Sequence, residues 1–157
     1  GAYVGMALAM MLAAFGVRAM AGLPATLWVV AIVVLSDVLG YFVGRIVGGP
    51  KFWPAISPKK TWSGTTAGWI GAALLGLLLV ITGYAPASVI VIGPILAFAG
   101  QMGDIAESWI KRRVGVKDSS QLIPGHGGLM DRFDAMTGSL GLATLLSLAG
   151  LLPAIGG

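Results

Sequence analysis

Acid and base gather in one stretch of an otherwise apolar chain. Between Gly103 and Asp134, in GDIAESWIKRRVGVKDSSQLIPGHGGLMDRFD, lie five of the six carboxylates, five of the ten basic side chains and the one histidine. Asp104, Glu107, Ser108 and Lys111 recur at i, i+3, i+4 and i+7, so a helix there carries all four on one face. Two carboxylates and a hydroxyl on one stripe suit a hard cation. Mg²⁺ is held by one or two carboxylates, with waters and substrate phosphates completing its octahedron. Asp131 and Asp134 stand at i and i+3 and could add ligands if their segment is helical and the chain between folds back. The solvated end of an amphipathic helix would show the same stripe, and that reading stays open at this point.

The same stretch supplies cations. Lys111, Arg112, Lys117 and Arg132 flank the carboxylates. Arg forks a phosphate through two N–H groups and Lys meets it as a point charge. Acid beside base at a membrane mouth points to Mg²⁺ with a polyphosphate. Mutual salt bridging would absorb some of these charges but leaves Lys111-Arg112-Arg113 in excess, and Arg113 reads as an anionic-lipid contact or topology signal. Pro124, Gly125, Gly127 and Gly128 surround His126. Such glycines let backbone N–H groups approach a phosphate. His126 could donate to it or move a proton, or simply cap the helix that follows.

Elements must hold these groups at a membrane. The chain has 157 residues, of which 57% are hydrophobic and 10% charged, against about 25% charged in an ordinary soluble domain. Five apolar segments approach the 20 or so residues that cross a bilayer: about Ala2–Met20, Leu27–Val47, Gly64–Ile81, Ser88–Lys111 and Ala135–Leu152. Gly22, Leu23 and Pro24 break the first from the second. The expected fold is an all-α polytopic bundle, one transmembrane domain over residues 1–157. Loops at about 48–63 and 112–134 carry most of the basic residues, which sets both on the cytoplasmic side. Without cysteine there is no disulfide framework and no thiolate nucleophile. Glycines spaced four apart, Gly40, Gly44 and Gly48 in the second segment and Gly64 and Gly68 in the third, read as close helix packing.

Two further groups belong with the charged stretch. Asp37 lies inside the second span, on one face with Tyr41, Gly44 and Arg45. A carboxylate there is costly and faces a cavity or a partner. It reads as a site wall with Arg45 or a loop lysine as counter-ion, or as a structural pair with Arg45. In KFWPAISPKKTWSG, Pro54 and Pro58 hold the chain extended, Lys59 and Lys60 reach toward a phosphate, and Trp53 and Trp62 fit an interfacial belt.

Together these residues match a known pattern. SWIKRRVGVKDSSQLIPGHGGLMDRFD, Ser108 to Asp134, resembles the signature of the phosphatidate cytidylyltransferases, the CDP-diacylglycerol synthases. The matched positions are Ser108, Lys111, Arg112, Lys117, Asp118, His126, Gly127, Gly128, Asp131, Arg132 and Asp134. DVLGYFVGR, Asp37 to Arg45, resembles the family's D-x-x-A-Y-x-x-G-R element with Gly40 in place of Ala. ISPKKTWSG, Ile56 to Gly64, resembles I-S-P-K-K-T-W-E-G with Ser63 where Glu is usual. The family's members are usually longer, so the chain is expected to be the C-terminal part of a larger enzyme.

The resemblance implies CTP and phosphatidic acid as substrates, CDP-diacylglycerol and pyrophosphate as products, and Mg²⁺ as cofactor, a second cation being an open alternative. It assigns metal binding to Asp104 and Asp131, supported by Asp134 and Glu107. Phosphate neutralisation falls to Lys111, Arg112, Lys117 and Arg132, with His126 a weaker catalytic candidate because phosphatidate is already ionised. Substrate contacts fall to Asp37, Arg45, Lys59, Lys60, Ser108, Gly127 and Gly128. Membrane lipids complete the partners, a homodimer is compatible with the glycine faces, and no nucleic acid is expected. The implied location is a bacterial inner membrane with the site facing the cytoplasm. The alternatives are a cytidylyltransferase for another lipid phosphate, such as an archaeal ether lipid, and an ion-coupled transporter. A transporter would place its carboxylates on matched broken helices near mid-bilayer.

Overall fold

The computed structural model describes residues 2–114 and 127–156, and their side chains apart from those of 2–4, 6, 111, 114 and 127–134. Four helices and one short hairpin make up this part: α1 (Ala2–Ile46), β1 (Lys51–Trp53), β2 (Ser57–Thr61), α2 (Trp62–Ile81), α3 (Val89–Val114) and α4 (Gly127–Leu148).

Helix α1 joins the first two expected segments. It runs as two helices across a kink at Gly22, whose φ of 86° and ψ of 173° are non-helical. A residue with a Cβ is strained in that region. Pro24, lacking an N–H, enforces the same break, and Thr26 Oγ1 donates to the Gly22 carbonyl at 3.1 Å. The sequence places the interruption correctly, at the kink where the two helices meet. Helix α1 packs with α2, α3 and α4 in a ring, α1 meeting α2 and α4 while α3 meets the same two, and the part of α1 before the kink meets α4, where Thr144 Oγ1 donates to the Ala13 carbonyl at 3.1 Å.

The faces of this bundle are those of a membrane protein. Large apolar side chains such as Leu12, Phe15, Phe42, Ile70, Leu78, Ile81 and Val91 point outward and are exposed, while Ser36, Thr65, Gln101, Glu107 and Ser139 are buried. In water that distribution would expose a large apolar area; in lipid it is the ordinary one, since polar groups turn inward to find partners. Among the described residues, three helices are long and apolar enough to cross a bilayer, over Ala7–Ile46, Trp62–Ile81 and Val89–Ile110. The apolar part of α4, Ala135–Leu148, is shorter.

Close approach of backbones sets the register, as the glycine spacing predicts. A Cβ on Gly64 would collide with the Gly40 carbonyl oxygen and come within 3.3 Å of Gly44 Cα, which fixes the α1–α2 crossing. A Cβ on Gly138 would collide with the Ala99 carbonyl oxygen and lie 3.2 Å from Gly103 Cα, which fixes α3 against α4. Gly48 does not continue the packing stripe. It has φ of 64° and belongs to the turn leaving α1.

Two boundaries differ from expectation. The polar segment after α1 is a two-stranded antiparallel hairpin pairing Lys51 with Thr61 and Trp53 with Ser57, with an irregularity between them. Pro54 lies in its turn and Pro58 in β2. A proline is tolerated in a sheet this small because both strands are edges. Helix α4 begins at Gly127 rather than near Ala135, so Asp131, Arg132 and Asp134 are helical. It stops at Leu148, where Gly150 with φ of 68° turns the chain. The tail then reaches back, Gly156 N–H donating to the Tyr84 carbonyl at 2.9 Å.

Candidate active site at one end of the bundle

The charged elements converge at a single end. It is built from the last turns of α1, the hairpin, the first turns of α2, the C-terminal half of α3 and the first turns of α4. At its centre Lys60, on β2, forms an ion pair with Asp104 on α3, and both side chains are 25% exposed. The Lys60 ammonium also donates to the Gln101 carbonyl at 3.4 Å. The strand separates the two lysines the sequence offers as equivalent. Lys59 is exposed, while Lys60 is partly covered and turned onto α3. Successive residues of a strand face opposite sides, which accounts for the split.

Thr61 links this contact to the fold. It is the N-cap of α2, its Oγ1 accepting from the Gly64 N–H at 3.2 Å. It also lies 3.1 Å from Ser63 Oγ, which in turn donates to the Gly48 carbonyl at 2.5 Å. Ser63, at the position where the resemblance expects Glu, therefore ties the start of α2 to the turn after α1. Gly44 leaves room for the cap, since a Cβ there would stand 2.8 Å from Thr61 Oγ1.

The α3 stripe faces inward. Glu107 is buried, and Asp104 and Ser108 are partly covered, while Ala106, Trp109 and Ile110 face out. Ile105, which the helical wheel sets opposite the polar stripe, is also buried, so both sides of this turn are covered. The solvated-end reading of the stripe is thereby excluded: an amphipathic end in water would expose its acids, not its tryptophan. Beyond the stripe, Arg112 Nη1 donates to the Ala55 carbonyl at 2.6 Å, fastening the hairpin turn to α3. Arg113 stacks on Trp109 with its guanidinium carbon 4.3 Å from the ring centroid, on the outward face.

Asp37 and Arg45 lie on α1. Arg45 Nη1 donates to Tyr41 Oη at 2.9 Å, so two members of the expected Asp37-Tyr41-Arg45 face do meet. Asp37 is partly buried and directly follows Ser36, whose Cβ a Cβ on Gly68 would approach to 3.1 Å. Asp37 thus sits about two turns deeper in the bundle than the Gly44–Thr61 contact.

Gln101 and Trp69 are the members that sequence reasoning missed. Trp69 Nε1 donates to Gln101 Oε1 at 2.9 Å, and Gln101 Nε2 donates to the Thr65 carbonyl at 3.4 Å. The available signal was a lone carboxamide in the apolar run from Val89 to Gly103. The cost of burying it demands partners.

Lys117 and His126 fall outside the described residues. Lys111, Asp131, Arg132 and Asp134 are placed by backbone alone: Lys111 on α3, one turn past Glu107, and the other three in the first two turns of α4. Gly127 and Gly128 begin α4 rather than forming part of a loop. The antiparallel pairing of α4 with α3 at Gly138 and Gly103 carries Asp134 and Asp131 one and two turns further toward the charged end. No cluster of three or more His, Asp or Glu side chains stands together among the described residues. The described donors are Asp104 and Glu107, with Ser108 beside them. Two carboxylates with waters and phosphates are an ordinary Mg²⁺ set, so the residues present fit that ion.

A helical bundle with apolar outer faces and with lysine, arginine and inward carboxylates at one end defines a class: a membrane protein that gathers its charge at one end of the bundle. Comparison with known proteins makes the class specific. The sequence model of the Cytidylyltransferase family matches residues 2–148, and the chain belongs to that family. It is 44% identical over 126 residues to a phosphatidate cytidylyltransferase of Brucella abortus, covering 79% of this chain and 47% of that protein. With proteins of the same name it shares 41% over 128 residues in Staphylococcus saprophyticus, covering 80% and 49%. In Helicobacter pylori the figures are 40% over 139 residues, covering 85% and 51%. The chain spans about half the length of the curated relatives it matches.

Proposed function

We propose that this chain carries the active site of a phosphatidate cytidylyltransferase, moving a cytidylyl group from CTP to phosphatidic acid with release of pyrophosphate. The observation that carries the reading is the convergence of Lys60 on the inward acidic face of α3, in a chain of this family. The relatives' printed name supplies the substrate pair.

In this reading a phosphatidate oxygen attacks the α-phosphorus of CTP. A new P–O bond forms, the bond from the α-phosphorus to the bridging oxygen breaks, and pyrophosphate leaves with that electron pair. The nucleophile is already an anion, so no strong base is required. The chemistry needs alignment and neutralisation of negative charge. Lys60 and Lys59 meet phosphate from the hairpin, Lys111, Arg112, Lys117 and Arg132 from α3, α4 and the segment between them, and Arg45 from α1. Gly127 and Gly128 would offer backbone N–H groups at the start of α4, where a helix N-terminus favours an anion. Ser108, Asp37 and His126 complete the substrate shell. Asp104 and Glu107, with Asp131 and Asp134 from α4, would hold Mg²⁺, which when bound supplies charge neutralisation at the phosphates.

Five membrane-crossing segments, counting α1 twice, put the hairpin and the α3–α4 segment on one side. The basic residues there favour the cytoplasm, of a bacterial inner membrane given bacterial relatives. A homodimer would need a surface other than the Gly40, Gly44 and Gly64 faces, which the α1–α2 crossing occupies. The test is formation of labelled CDP-lipid from CTP and phosphatidic acid by the purified full-length protein in the presence of Mg²⁺. Product formed equally well with the cation chelated, or none formed with it present, would defeat the reading.

A further inference from the structure

Among the described residues Gln101 is the one carboxamide, buried in the bundle's apolar interior, and both ends of its side chain are committed across the α2–α3 interface. Its Oε1 accepts from Trp69 Nε1 at 2.9 Å and its Nε2 donates to the Thr65 carbonyl at 3.4 Å. Its own carbonyl accepts from Lys60 at 3.4 Å. That lysine also pairs with Asp104, one turn further along α3. Gly68 makes the space, since a Cβ there would lie 3.1 Å from Gln101 Nε2. Trp69 is held edge-on to Phe98, with ring centroids 5.8 Å apart, so its N–H is aimed by packing on α3 as well.

A leucine would fill the same volume in lipid-facing or core positions without the cost of burying an amide. The gain from Gln is directional. Two hydrogen bonds to successive turns of α2 fix how far α3 slides and how it rotates. Those two freedoms decide whether Asp104 and Glu107 face Lys60. We propose that Gln101, clamped by Trp69, is a positioning residue that sets the register of the acidic face of α3 against the hairpin. The inference rests on the proposed function for its kinetic readout and on the metal set proposed there for its Mn²⁺ readout.

The experiment compares full-length Gln101→Leu, Trp69→Phe and the double variant with the parent in one detergent. Trp69→Phe keeps an aromatic ring against Phe98 while removing the donor and part of the indole's volume. Ser139→Ala, which loses a buried bond to the Leu96 carbonyl at 2.8 Å on the far side of α3, is the control for general loosening. Binding of Mn²⁺ in place of Mg²⁺ is followed by electron paramagnetic resonance, with melting temperature and CDP-lipid turnover alongside. Misplacing reacting groups by about 1 Å costs up to about a hundredfold in rate. Gln101→Leu is therefore expected to lower kcat about tenfold or more while KM for CTP changes less. Mn²⁺ binding should weaken about threefold or more, a loss absent from Ser139→Ala at equal or greater loss of melting temperature. Trp69→Phe should move both readouts the same way, and the double variant no further than Gln101→Leu. Mn²⁺ binding and kcat within twofold of the parent in Gln101→Leu would overturn the inference, as would effects equal to those of Ser139→Ala. If Gln101→Leu does not fold, Trp69→Phe decides alone by the same two readouts. A parent that makes no CDP-lipid defeats the proposed function, and the Mn²⁺ comparison still decides this one. A parent that binds no Mn²⁺ defeats it as well.

Discussion

Replacing Gly44 by alanine tests how tightly the α1–α2 crossing is coupled to the site. The added Cβ would stand 2.8 Å from Thr61 Oγ1, while its other neighbours, Gly64 Cα and N, are at ordinary distances of 3.6 and 3.9 Å. The conflict is thus confined to one hydroxyl. To restore van der Waals contact Thr61 must either withdraw by more than half an ångström (about 0.6 Å) or rotate. Rotation gives up the bond from the Gly64 N–H and its contact with Ser63. Loss of an N-cap costs about 1 kcal/mol. Withdrawal moves the residue next to Lys60 by a sizeable part of the roughly 1 Å that can cost a hundredfold in rate. The expected outcome is a stability loss of about 1 kcal/mol, with turnover reduced about tenfold or more. The assay is a double-mutant cycle in thermal unfolding and CDP-lipid formation, using Gly44→Ala, Thr61→Ala and both together. Thr61→Ala removes the cap and also the atom that the new methyl meets. The pair should therefore be no less stable than Thr61→Ala alone. Additive losses would show that Gly44 acts through something other than the Thr61 hydroxyl, and a neutral Gly44→Ala would show that the crossing yields freely.

Three other outcomes are expected. Asp104→Asn and Asp131→Asn should each lower CDP-lipid formation by about a hundredfold or more, on the scale of losing a group that organises transition-state charge; near-full turnover in either would remove it from the metal set. Lys60→Met should change the melting temperature little, since a partly exposed ion pair contributes about 1 kcal/mol or less, yet cut turnover more than Lys59→Met does; equal effects would mean that the strand's two faces do not matter. Gly138→Ala, whose Cβ meets backbone of α3 rather than a movable side chain, should destabilise by about 1–3 kcal/mol, as overpacking does, measured by thermal unfolding in detergent. A stability change within a few tenths would contradict the close α3–α4 approach.

Much of the molecule is written in the chain as local pattern. Apolar segments near bilayer length, the Gly22-Leu23-Pro24 interruption and the glycines four apart follow from rules acting over one or two helical turns, and the bundle keeps all three. The shared face of Asp104, Glu107 and Ser108 is equally local, a matter of helical rotation alone. So is the gathering of charge between Gly103 and Asp134, which any fold would inherit. The signature from Ser108 to Asp134 carries family membership without reference to geometry.

Tertiary structure decided which of these groups meet. Lys59 and Lys60 are equal in sequence; strand pairing turns one outward and brings the other to Asp104, 44 positions further along the chain. Whether the α3 stripe faced water or the interior depended on where α2 and α4 lie, because burial is a property of neighbours and not of periodicity. Arg112, read as a phosphate ligand, also donates to the Ala55 carbonyl, a contact across 57 residues that no local rule anticipates. Gln101 gave almost no signal, since one amide in an apolar helix has meaning only once Trp69 and Thr65 stand opposite it. The sequence by itself determined that this chain carries apolar segments long enough to cross a membrane and concentrates acid and base in one stretch. Only the packing of four helices and a hairpin decided that Lys60, Asp104 and Gln101 share one place, because long-range contacts are set by the shapes that helices present to each other.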